Sequence, residues 1–201
     1  MKLDPFYLIV DTADWIARLV PVGVKLVQLR VKDRSEADLR QEIRQARAIC
    51  SQHRCQLIVN DYWQLAIEEG CDFVHLGQED LETADLAAIR AADIKLGLST
   101  HDETELRTAL VARPDYIALG PVYATILKQM RWAPQGLPRL CAWKSKIGDL
   151  PLVAIGGLNI DRIDGVFAHG ADSAAVVTDI TRNADPVART RQWLEVTKPW
   201  R

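Results

Sequence analysis

Leu152-Val153-Ala154-Ile155-Gly156-Gly157 is an apolar run that starts after Pro151 and stops at two glycines. So few apolar residues cannot make a useful helix and suit a strand buried on both faces. Glycines directly after a strand let backbone approach a ligand closely, because no Cβ stands in the way. Working outward, the pattern returns at Ser173–Val177, which runs into Thr178. Neighbouring parallel strands that end in bare N–H groups are where barrel enzymes commonly hold a phosphate.

The rest of the chain repeats the same alternation. Strand-like runs at Phe6–Val10, Leu26–Arg30, Gln56–Asn60, Phe73–Leu76, Lys95–Ser99 and Tyr116–Gly120 precede these two. Helix-period segments separate and follow them at Ala13–Val20, Ser35–Ser51, Tyr62–Glu69, Thr83–Ala92, Asp102–Ala112, Leu137–Ile147, Ile160–His169 and Pro186–Val196. Ser35 suits an N-cap, and Glu36 and Asp38 in the first turn favour the helix dipole. Strict strand–helix alternation implies a parallel sheet with helices outside it. Eight such units favour closure, so the expected fold is α/β, a single (β/α)8 barrel forming one domain over residues 1–201. No GxGxxG follows the first strand, which argues against a dinucleotide fold.

Composition narrows the function classes. The chain has 201 residues, 48% of them hydrophobic, and a net charge of −2 from interleaved acids and bases. That is enough for one well-buried domain and shows no nucleic-acid or membrane-surface footprint. Met1-Lys-Leu-Asp-Pro5 has no signal-peptide core, and no apolar run reaches membrane-spanning length. Cys50, Cys55, Cys71 and Cys141 show neither CxxC pairing nor zinc-like spacing, which suits reduced thiols in the cytoplasm. The six tryptophans read as packing or surface groups.

The strand ends carry the chemistry. Alternation sends Gln28, Arg30 and Lys32 to one side, where two cations and an amide suit an anionic ligand or an ordinary solvated strand exit. Asp61 follows the third strand and Asp80 the fourth. Carboxylates from adjacent strand ends can share a hard cation such as Mg²⁺, which leaves its other positions to water and substrate phosphate. Each also has a structural reading, Asp61 as a helix N-cap and Asp80 as a turn residue. Ser99 supplies a hydroxyl at the rim. His101 is either an acid/base group or a structural partner, and nothing around Ser99 resembles a nucleophile turn. His53 and His169 read as helix-end residues. The connection Pro121–Gly136 is the longest and carries Lys128, a charge suited to a binding segment or to open solvent.

In order along the chain, Gln28-Leu-Arg-Val-Lys32, Ile58-Val-Asn-Asp-Tyr62, Val74-His-Leu-Gly-Gln-Glu-Asp80 and Gly97-Leu-Ser-Thr-His101 resemble the thiamine-phosphate synthase family. Gly120-Pro121, Thr125, Lys128, Ala154-Ile-Gly-Gly157 and Gly170-Ala-Asp172 continue the likeness over nearly the whole chain. The resemblance implies a TIM barrel that joins a hydroxymethylpyrimidine diphosphate to a thiazole phosphate, giving thiamine monophosphate and diphosphate. It places Gln28, Arg30, Lys32, Asn60, Ser99 and Lys128 on the pyrimidine diphosphate, and Asp61 and Asp80 on Mg²⁺. Thr125, Gly157, Val177 and Thr178 would receive the thiazole phosphate. Arg30, Lys32, Ser99 and Lys128 would act on the reacting groups. The implied partners are small molecules, with no nucleic acid or membrane; homo-oligomer formation is left open.

One departure stands out. The family usually reads Pro-Thr-x-Thr-Lys where this chain has Ala124-Thr125-Ile126-Leu127-Lys128, so Leu127 replaces a hydroxyl. Two rival readings follow: a thiazole tautomerase-like isomerase, which would use a histidine near His101, and a non-catalytic barrel that binds thiazole phosphate. The tautomerases lack the metal carboxylates, whereas Asp61 and Asp80 are both present here.

Overall fold

A computed structural model of the protein describes residues 2–125 and 132–201. Eight strands pair in chain order: β1 (Phe6–Val10), β2 (Leu26–Leu29), β3 (Gln56–Asn60), β4 (Phe73–Leu76), β5 (Lys95–Thr100), β6 (Tyr116–Leu119), β7 (Leu152–Ile155) and β8 (Ser173–Val176). All pairings are parallel, and β8 returns to β1 with Phe6 opposite Ala174, closing the barrel. The expected (β/α)8 architecture is therefore what the chain adopts.

Alternation along each strand divides the apolar residues into two cores. One fills the barrel and includes Tyr7, Leu26, Ile58, Phe73, Tyr116, Val153 and Ala175. The other lies between strands and helices, where Leu8, Val27, Val74 and Leu119 meet Ile16, Ile43, Trp143 and Trp193. Both strand faces are buried, which is why the strands read as continuous apolar runs. Polar tips in the outer core are satisfied: the Trp143 indole N–H donates to Thr100 Oγ1 at 2.9 Å, and Thr100 donates to the Ala118 carbonyl.

The outer layer is α1 (Ala13–Leu19), α2 (Glu36–His53), α3 (Trp63–Glu68), α4 (Gln78–Thr83), α5 (Leu86–Ala91), α6 (Glu103–Val111), α7 (Gly136–Ile147), α8 (Ile163–Ala168), α9 (Thr178–Thr181) and α10 (Pro186–Val196). In α2, Ser35 Oγ accepts from the Asp38 N–H as expected, and Leu39, Ile43, Ala46 and Cys50 form the buried stripe. The sequence predicted one helix at Thr83–Ala92, but the chain forms α4 and α5 instead. Ala84 is extended (ψ 136°), and the Asp85 carboxylate accepts from the Ala87 and Ala88 N–H groups, starting a new helix. Neither α4 nor α9 was anticipated. The four cysteines are free, and no described helix is long and apolar enough to cross a membrane.

Candidate active site

The carboxyl ends of the strands gather most of the expected polar residues at one rim. Gln28 and Asn60 are buried on the inward faces of β2 and β3. Arg30 is exposed just past β2, yet its charge reaches His75 on β4. Register places Asn60 beside His75 and His75 beside Gly97, two residues before Ser99 on β5. Lys128, also expected here, lies outside the described residues, as does Leu127.

Asp61 turns the chain at the end of β3 with φ +66°, a left-handed conformation that Asp tolerates better than most residues. Its N–H donates to the His75 carbonyl at 2.9 Å, which fixes the turn against β4. The Asp61 side chain does not cap α3: Tyr62 occupies the N-cap position, with no side-chain cap. Instead the carboxylate forms an ion pair with Lys32. Asp80 stands in the first turn of α4, where burial and the adjacent Asp61 carboxylate hold its carboxyl above the usual range. Asp61, Asp80 and Lys32 thus form one cluster: two neighbouring carboxylates and a single ammonium paired to Asp61. Such a pair can share a cation.

The opposite side of the rim comes from β7 and β8. Register pairs Ile155 with Ala175, two residues before Gly157 and Val177 respectively, and Val177 opens α9 at Thr178. Gly156 and Gly157 both have positive φ (+99° and +64°). The space left by their missing Cβ atoms is taken by the Pro121–Ala124 segment: a Cβ on Gly156 would lie 2.6 Å from Pro121 Cα, and one on Gly157 would lie 2.8 Å from Tyr123 Cβ and collide with the Ala124 carbonyl oxygen. The glycine pair therefore has a packing reason that strand reading alone did not reveal. Val122 and Tyr123 donate to the carbonyls of Ile155 and Gly156, extending the sheet past β6. Thr125 ends the described part of this connection and makes an interaction of its own. Arg162 lies 4.3 Å over the Tyr123 ring and donates to the Gly157 carbonyl, holding that peptide in place. Asp179 accepts from Arg189 and from the Trp193 indole, which fastens α9 to α10.

Sequence reasoning missed the polar residues inside the barrel. Tyr7, His75 and Tyr116 are buried, hydrogen-bonded to one another, and linked to Gln28 and Ser99. Parity could have found them, since His75 occupies the inward phase of its strand just as Gln28 does. Burial holds the His75 imidazole down at about 4 and pushes both tyrosine hydroxyls well above their ordinary value, so all three are neutral near pH 7. Gln78 at the start of α4 donates to the Ser99 carbonyl at 2.7 Å. His101 is tied down: its Nδ1 lies 2.7 Å from Glu105, and its ring stacks on Trp132 at 4.0 Å. His53 ends α2 and His169 caps α8, the helix-end positions expected of them.

A closed parallel barrel with cationic, carboxylate and amide side chains at the carboxyl ends of its strands is the layout of a (β/α)8 enzyme acting on an anionic ligand. Comparison with known proteins narrows that class. Residues 6–180 match the family model described as thiamine monophosphate synthase. A thiamine-phosphate synthase of Rhizobium etli is 70% identical over 201 residues, covering 100% of this chain and 98% of that protein. The corresponding Klebsiella pneumoniae protein is 50% identical, covering 94% and 89%. A solved thiamine phosphate pyrophosphorylase from Pyrococcus furiosus superposes with a TM-score of 0.87 at 23% identity, over 98% of this chain and 96% of that one, and speaks to the fold. The chain belongs to the thiamine monophosphate synthase family.

Proposed function

We propose that the chain condenses 4-amino-2-methyl-5-(diphosphooxymethyl)pyrimidine with 4-methyl-5-(2-phosphooxyethyl)thiazole, giving thiamine monophosphate and diphosphate. Family membership supplies the reaction. The observation that carries the assignment to this rim is the convergence of Asp61, Asp80 and Lys32 opposite the Gly157–Thr178 side.

The reaction needs no protein nucleophile. The methylene–oxygen bond of the pyrimidine diphosphate breaks with both electrons leaving on oxygen, and the thiazole nitrogen then bonds to the methylene carbon. Negative charge grows on the departing diphosphate, so preorganised positive groups aimed at it lower the barrier. Arg30, Lys32 and Lys128 are the chain's cations for that task, with Gln28, Asn60 and Ser99 orienting the pyrimidine diphosphate. Thr125 and the backbone around Gly157, Val177 and Thr178 receive the thiazole phosphate.

Asp61 and Asp80 fit a magnesium ion. Mg²⁺ typically takes one or two protein carboxylates and completes its shell with water and substrate phosphate. Among the described residues no group of three or more His, Cys, Asp or Glu side chains is placed to hold a metal ion. The raised carboxyl of Asp80 beside Asp61 marks negative charge that a cation would neutralise. Bound there, Mg²⁺ would supply charge neutralisation to the leaving diphosphate. Lys32 pairs with Asp61, so a cation held by that carboxylate would compete with the ammonium for it.

The deciding experiment measures diphosphate release with each substrate alone and with both, with and without Mg²⁺. Release that requires both substrates and the ion supports the assignment. Absence of release from the complete mixture overturns it. The isomerase reading has no use for the Asp61–Asp80 pair, and turnover of a thiazole carboxylate phosphate without pyrimidine or metal would favour it.

A further inference from the structure

One hydrogen-bonded chain crosses the inside of the barrel and joins two residues of the proposed site. Gln28 Nε2 lies 2.7 Å from Tyr7 Oη, Tyr7 Oη is 3.0 Å from Tyr116 Oη, and Tyr116 Oη is 2.7 Å from His75 Nδ1. His75 Nε2 is in turn 2.8 Å from Ser99 Oγ. Gln28, Tyr7, Tyr116 and His75 are all buried, and Ser99 alone is partly open at the rim.

With the Gln28 amide nitrogen, and not its oxygen, facing Tyr7, counting protons gives the direction of this chain. The Gln28 amide nitrogen can only donate, so Tyr7 oxygen accepts there. The single Tyr7 proton then goes to Tyr116, and the single Tyr116 proton goes to His75 Nδ1. A neutral imidazole that accepts at Nδ1 carries its proton on Nε2 and donates to Ser99 Oγ. Reversing the chain would have Ser99 donate to Nε2 and Tyr7 accept twice, leaving the buried Tyr7 proton without an acceptor. An unpaired buried donor disfavours that arrangement by about tenfold or more.

We propose that His75 is a positioning residue: Tyr116 sets its tautomer, and His75 in turn holds Ser99 as a hydrogen-bond donor toward the pyrimidine diphosphate. With its oxygen already accepting from His75, Ser99 keeps its own proton for an acceptor on the substrate. Polarity thereby runs from Gln28, on one side of the rim, to Ser99 on another. Gly97 makes room for the link, since a Cβ there would meet the Tyr116 ring. The inference rests on the proposed reaction for the identity of the acceptor. The direction of the chain itself stands on the Gln28 amide orientation and the proton count; an amide turned end for end would run it the other way and put the His75 proton on Nδ1.

The first measurement needs no variant and no substrate. Nitrogen-15 spectra of histidine-labelled protein at pH 7 are expected to show His75 protonated at Nε2 only, its signal identified by loss in His75→Gln. An Nδ1-protonated ring or an imidazolium overturns the proposal. The second is a double-mutant cycle on diphosphate release. Tyr116→Phe is expected to lower kcat/KM by about tenfold with Ser99 present and by less than about twofold in the Ser99→Ala background. Equal losses in both backgrounds would make Tyr116 a packing residue and overturn the proposal. If Tyr116→Phe fails to fold, Tyr7→Phe interrupts the same chain one link earlier, and the same comparison applies. A chain that turns over with His75 protonated at Nδ1 defeats this inference alone. A chain with the expected tautomer that releases no diphosphate defeats the proposed reaction and the assigned acceptor with it.

Discussion

Gly97 and Tyr116 are partners across β5 and β6, and the glycine exists for the tyrosine: a Cβ at position 97 would lie 2.6 Å from Tyr116 Oη and inside the ring carbons. Tyr116 is fully buried, packs edge-on against Phe73 and stacks on His75, so it has nowhere to retreat.

Gly97→Ala is therefore expected to destabilise the barrel by about 3 kcal/mol, the upper end for overpacking a close-packed interior. Urea unfolding measures it. In a Tyr116→Ala background the same substitution should cost under about 1 kcal/mol. Equal costs in both backgrounds would show that the crowding is relieved elsewhere.

At the rim, Asp61→Ala and Lys128→Ala are each expected to lower kcat by about 10²–10³, the loss typical of one preorganised electrostatic group. Steady-state diphosphate release checks this. Near-normal turnover in both variants would remove charge stabilisation by these residues from the mechanism.

Away from the site, the Glu69 side chain, 8% exposed, accepts from Arg40 at 2.9 Å and from Arg44 at 2.6 Å, joining α2 to the end of α3. The two guanidinium groups hold its carboxyl below the ordinary value near about 4.3. A depressed folded-state value gives stability that is present above the unfolded value and lost as pH falls through the folded one. Wild type should therefore exceed Glu69→Gln in urea midpoint at pH 7, with the gap closing below about pH 4. A gap independent of pH would mean that the carboxylate charge contributes nothing.

Leu127 tests the thiazole side. If a hydroxyl is missed at this position, Leu127→Thr lowers KM for thiazole phosphate by about three- to tenfold, the worth of one hydrogen bond. An unchanged or raised KM would show that the phosphate is already satisfied.

The barrel was legible because its signals are local. Each parallel strand is a short apolar run with its own stop, such as Gly156-Gly157 after β7, and several helices carry a capping side chain, such as Ser35 on α2 and Asp102 on α6. The split at Ala84 went unread because Asp85 looks like any exposed helical acid until its carboxylate is seen capping α5. At the rim, charged residues following strands were conspicuous, which brought out Arg30, Lys32, Asp61 and Asp80. Tyr7, His75 and Tyr116 were not conspicuous, because aromatic residues in strands ordinarily mean packing. Their hydroxyl and ring partners come from strands as much as 109 positions apart in the chain, a pairing no local pattern records.

The connection after β6 is tied off at its base. Gln135 donates to the Pro121 carbonyl at 2.8 Å, and Gly136 to the Val122 carbonyl at 2.9 Å, so the strand exit and the entry to α7 are bonded to each other. The two ends of the connection therefore meet through backbone groups outside residues 126–131. Closure of this loop does not depend on the identity of residues 126–131, so substitution or lengthening there is expected to cost folding little, since loop-closure entropy grows only slowly with length.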